Sequence, residues 1–232
     1  MTEVSPGDAA TGRTEPGGSP VEGLLLQVQR RLESLYALEP QAPVTAFLIP
    51  HEEAARYPGD GSRTLLTQDG DEVSLGVILA GTVHEDLQRA DPRVQLDFSN
   101  LGPFCTLTEE VSHFVYLSFC AGAARSVTQL ELELQGEVDK YLNTVFLLSL
   151  QNEGAVSSRL RELLFRRYRI AEGMSAEQVE RYRAASDLAY RYCGWLESSF
   201  LRPSRMGGLA RESRRFYRLG QREKLERIAE LQ

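Results

Sequence analysis

Apolar residues recur at helical spacing through most of this chain, and only one stretch breaks the rhythm. Val21, Leu24, Leu25, Val28, Leu32 and Leu35 form the first stripe, the period of a helix with one buried face. Ahead of it, Ser19-Pro20-Val21-Glu22 supplies an N-cap, a proline at the first helical position and a Glu three residues after the cap; Pro40 closes the segment.

The break comes next. Val44 to Ile49 is a short apolar run between prolines, and Thr64 to Thr67 and Glu72 to Leu79 flank Gln68-Asp69-Gly70-Asp71. Asp-Gly between two β-type runs predicts a hairpin, because glycine tolerates the positive φ of a tight turn. A sheet of two or three strands follows from this reading, and Thr82-x-x-Glu85 then opens a short helix that Asp91-Pro92 ends.

From about Thr106 the helical period returns and stays. Thr106-x-x-Glu109, Ser126-x-x-Gln129 and Ser175-x-x-Gln178 match the capping box, dividing the region into helices over about 107–124, 127–150, 156–170 and 176–200, with one or two more from Leu209. The stretch Thr128-Gln-Leu-Glu-Leu-Glu-Leu-Gln135 alternates like a strand, yet its Leu, Glu and Gln content and the cap before it favour helix. The fold class expected is mainly α (α+β): a helical bundle with a small N-terminal β-hairpin element. It divides into a disordered tail over 1–18, an α+β region over 19–100 and a helical bundle over 101–232. The tail follows from a run of Gly, Pro, Ser, Thr and acids without bulky apolar residues.

Composition narrows the class. A chain of 232 residues, 42% apolar, suits one well-filled core or a helical domain with an appendage. No run reaches the length of a membrane span, and the first residues lack a signal-peptide pattern, so a cytoplasmic protein is expected. Three widely spaced cysteines, Cys105, Cys120 and Cys193, with no CxxC, argue against a disulfide framework or a cysteine zinc site. The net charge of −7 hides a division: residues 159–232 hold 17 basic and 10 acidic groups, so +7, and residues 1–158 hold the remaining −14. The basic third therefore faces either an anionic partner or the acidic part of its own fold.

Two constellations carry candidate chemistry. Glu110-Val-Ser-His113 sets a carboxylate and an imidazole about one turn apart on a face shared with Phe114, Leu117 and Ala121. Glu137 borders the apolar stripe of the next helix, with Glu131 at its other border. In a helical hairpin, Glu110, His113 and Glu137 would converge on iron, manganese or zinc, as in carboxylate-rich bundles; the structural reading is a buried His113 hydrogen-bonded to a glutamate. The second constellation interleaves arginine with aromatics: Arg166, Arg167 and Arg169 beside Phe165 and Tyr168, then Arg211, Arg214, Arg215 and Arg218 around Phe216 and Tyr217. Arginine forks with stacking rings suit single-stranded nucleic acid. Set against that, Tyr182 and Tyr192 fall in a core stripe with Val179, Ala185, Ala189 and Leu196.

Phosphate-loop, dinucleotide and nucleophile-elbow motifs are all missing from the sequence. The leading expectation is thus a non-catalytic protein-interaction module without a cofactor, a subunit or adaptor whose partner is another protein. Nucleic-acid association and a Glu/His metalloprotein are the alternatives.

Overall fold

The cap expected at Ser19 forms: its hydroxyl accepts from the Glu22 amide, the Glu22 carboxylate accepts from the Ser19 amide, and α1 runs Pro20–Tyr36. This computed structural model describes residues 19–70, 72–157, 159–166 and 174–231. The expected tail over 1–18 lies outside the described residues. Helix α1 buries Val21, Leu24, Leu25, Val28, Leu32 and Tyr36 and ends where Ala37 turns to φ 49°. Gln29, buried in the same helix, donates to Ala42 O (3.0 Å) and accepts from the Val44 amide (2.7 Å), which fixes the path of the chain after α1.

Val44–Phe47 is a short 3-10 helix, and a second one spans His51–Arg56. Strand β1 (Arg63–Asp69) pairs antiparallel with β2 (Glu72–Ile78), from Arg63 opposite Ile78 to Asp69 opposite Glu72, with Gly70 at φ 59° in the turn. The third strand considered for 44–49 reduces to one parallel bridge, Leu48 to Val77, since the prolines on both sides leave too few residues for a ladder. Gly76 permits this crossing, because a Cβ there would lie 2.7 Å from Ile49 Cδ1.

Helix α2 (Gly81–Arg89) leads to a loop clasped by Asn100, whose side chain bonds Ala90 O, Gln95 O and the Asp97 amide. Two long helices follow, α3 (Leu101–Gly122) and α4 (Gln129–Gln151). Their contacts run in opposite directions, Cys105 with Thr144, Glu109 with Lys140 and Tyr116 with Glu131, so they form an antiparallel pair. Then come α5 (Leu160–Arg166) and α6 (Ala176–Leu196), the latter capped by Ser175 as the sequence predicts and prolonged by a π turn over Glu197–Leu201. The chain ends in α7 (Met206–Arg218) and α8 (Gln221–Ala229).

The molecule is therefore mainly α-helical with one small β-hairpin. One core cluster joins α1, β2, α2 and α3 around Leu32, Phe104 and Val115; a second joins α4, α6, α7 and α8 around Leu142, Tyr192 and Phe216. Leu35 and Leu148 pack against both. Helix α4 is covered by α3 on one side and α6 on another, so Glu131, Glu133, Gln135, Glu137 and Asp139 are buried along with its apolar residues. Among the described residues no helix is long and apolar enough to cross a membrane.

Candidate functional site

A helix buried on most sides must meet its polar groups with others from the protein, and most of those of α4 are gathered in three layers. At the lowest, next to α8, Glu131 accepts from the Tyr116 hydroxyl, from Arg125 (2.7 Å) and, through its other oxygen, from the Gln221 amide (3.1 Å). In the middle layer Asp139, fully buried, accepts from the hydroxyls of Tyr36 and Ser112 and from Gln135 Nε2 (3.1 Å). Gln135 in turn accepts from Lys224 Nζ (2.7 Å), which lies 4.5 Å from the centre of the Tyr116 ring and 4.9 Å from that of Phe216. Burial pushes the Asp139 carboxyl up to about 6 against its hydrogen bonds, and pushes the 0% exposed Lys224 ammonium down to about 7.

The third layer gathers the most unbalanced charge. Glu109, Glu110 and His113 from α3 meet Glu133, Glu137 and Lys140 from α4. Lys140 Nζ bridges Glu109 Oε2 and Glu137 Oε1, 2.9 Å from each. Thr64 of β1 donates to Glu110 Oε2 at 2.9 Å, so the hairpin reaches into the layer. His113 Nδ1 lies 4.0 Å from Glu110 Oε2, and its Nε2 lies 3.8 Å from Glu133 Oε2. Glu109, His113 and Glu133 each offer a ligand atom within 4.8 Å of the others. Burial, and then the Glu109 charge, pushes the carboxyls of Glu110 and Glu133 up to about 8; burial holds His113 below its ordinary value. Glu109 is the exception: burial, the largest influence, would raise its carboxyl, but Lys140, His113 and the Tyr182 hydroxyl together keep it low.

No family model, curated protein or solved structure matches the chain.

Of the residues singled out in the sequence, Glu110 and His113 do come together, whereas Glu137 is turned to Lys140. Glu109 and Glu133, which the sequence reading passed over, face the histidine. Glu109-x-x-x-His113 also has helical spacing, and that was the available signal for Glu109. Glu133 sits inside the alternating stretch, where only the covering of α4 on several sides makes its position informative.

The arginines divide three ways. Arg166 pairs with Asp187 and lies over the Tyr190 ring, 4.4 Å from its centre. Arg214 and Arg218 donate to the last carbonyls of α1: Arg214 to Leu35 O (3.0 Å), Arg218 to Tyr36 O (3.0 Å) and Ala37 O (3.3 Å). Arg211 and Arg215 are exposed and make no ion pair among the described residues. Arg167 and Arg169 lie outside the described residues. Tyr192 is buried and stacks on Phe216, ring centres 3.9 Å apart, so it belongs to the core. The three thiols are free, with burial raising each away from the reactive thiolate; Cys105 goes up to about 11.

One surface feature stands apart. Gln151, at the end of α4, donates to Pro92 O (2.8 Å) and accepts from the Leu96 amide (2.9 Å), clasping the loop before α3 to the bundle. Within three residues of this clasp stand Val94, Phe98 and Leu150, exposed by 81%, 86% and 76%.

Proposed function

We propose that the chain is a non-catalytic protein-interaction module, a subunit or adaptor of a larger intracellular assembly, that docks through Val94, Phe98 and Leu150. The observation that carries this reading is that two large exposed apolar side chains, Val94 and Phe98, stand on a loop held by Asn100 and Gln151, with a third, Leu150, on the end of α4 to which that loop is clasped. Isolated exposed apolar residues are ordinary, but a cluster on an ordered scaffold marks an interaction site. An aromatic on a held loop also loses little entropy on docking, and burying it contributes about 1.5–3 kcal/mol. The partner that fits is a protein with an apolar cleft deep enough for the Phe98 ring.

The experiment is native mass spectrometry of the tagged chain purified gently from its source cells, beside the double variant Val94→Ser, Phe98→Ser. A stoichiometric protein partner on the wild type that is lost from the double variant, and kept by Arg215→Glu, is expected. Retention of the same partner by the double variant, or a wild-type chain without one, overturns the reading. If the partner is instead lost only from Arg215→Glu, in a salt-dependent way, the basic face of α7 is the interface.

A further inference from the structure

In the α3–α4 layer, two buried polar atoms face each other and neither is bonded. His113 Nε2 and Glu133 Oε2 are 3.8 Å apart, and among the described residues neither has a hydrogen-bond partner. His113 is only 7% exposed. Stranding a buried donor or acceptor costs about 1–3 kcal/mol, so such a pair persists where a further species satisfies it. Glu109, one helical turn before His113, brings a third ligand atom to the same point, all three within 4.8 Å.

We infer that Glu109, His113 and Glu133 form a binding site for one divalent transition-metal cation such as zinc, manganese or iron(II). One imidazole and two carboxylates suit these ions, and the two carboxylates neutralise a dication. Ligand atoms at about 2.0–2.2 Å from a zinc stand roughly 3–4 Å apart, a closure within reach of glutamate rotamers. Room for the ring comes from Gly136: a Cβ there would lie 3.0 Å from His113 Nε2. With Nε2 on the metal, Nδ1–H points to Glu110 Oε2, 4.0 Å away, which Thr64 holds in place. A shift of about 1 Å would close this gap to a hydrogen bond, and Glu110 would then be the outer carboxylate that fixes the tautomer of a metal-bound histidine. Lys140 occupies Glu109 Oε2 and is the internal cation with which the metal shares this carboxylate. The ion cross-links α3 and α4, independently of any docking through Phe98.

The full chain, stripped with a chelator and dialysed against zinc or manganese, is assayed for bound metal by mass spectrometry and for melting temperature. One ion per chain and a melting temperature raised by several degrees are expected. Glu133→Gln, nearly isosteric, should weaken affinity at least tenfold with the chelated protein still folded by circular dichroism, whereas exposed Glu226→Gln should change nothing. Glu110→Gln should keep the stoichiometry and weaken affinity about tenfold, the signature of an orienting partner. If Glu133→Gln does not fold, Glu109→Gln gives the same reading. No retained metal in the wild type, or wild-type affinity in both ligand variants, overturns the inference.

Discussion

Burial raises the Asp139 carboxyl to about 6, and three donors on three different parts of the chain hold it. Tyr36 reaches it from α1, Ser112 from α3 and Gln135 from one turn earlier in α4. Such a residue specifies how three helices meet more than it adds to stability. Asp139→Ala would strand the Tyr36 and Ser112 hydroxyls and is expected to cost about 2–5 kcal/mol. Asp139→Asn keeps an acceptor and should cost less than half as much, as read from urea unfolding. At this scale the sequence was partly legible. Glu110-x-x-His113 announced a polar spot on α3, and Glu137 an acid on α4. Which acid faces the ring depends on the rotation of α4 about its axis, set by packing on two sides at once, and no single stripe encodes that.

The elements show why capping signals succeed or fail. Ser19 and Ser175 cap as read, each hydroxyl accepting from the amide three residues on while that residue's side chain accepts from the cap amide. Thr106 does not, since α3 already begins at Leu101, with Pro103 in the first turn, where its missing N–H costs nothing. Ser126 yields to Thr128, whose hydroxyl accepts from the Glu131 amide. The basic stripe of α7 is likewise divided by what it touches. α1 has no basic residue in its last turn, and Arg214 and Arg218 supply that charge from outside. Replacing both by alanine should destabilise the protein by about 1–2 kcal/mol, the usual worth of hydrogen bonds from charged donors at partly exposed sites. Arg211→Ala with Arg215→Ala should stay within about 0.5 kcal/mol of wild type. Equal thermal shifts for the two pairs would refute this division.

For the molecule as a whole, the opposed charges of the two regions meet partly inside the fold, and Lys224 is the deepest instance. Its folded-state value of about 7 lies below the ordinary 10.5, so the unfolded chain binds the proton more tightly. Stability from this group is therefore complete above about 10.5 and lost as pH falls through about 7. Lys224→Met removes the group, so the stability of the wild type relative to this variant should rise between pH 7 and 10. A difference that is flat across that window would mean the amine is hydrated in solution.

The arginines of α7 reach back across about 180 residues to close the end of α1, at separations of 179 and 182. Tyr217 stacks on Tyr36 in the same place, ring centres 3.9 Å apart. On the ribosome α1, made before the other described helices, is thus completed only after α7 has been made. Until α7 is made, the carbonyls at the end of α1 and the rings of Tyr36 and Tyr116 stand open, an exposed surface of the kind that holding chaperones bind.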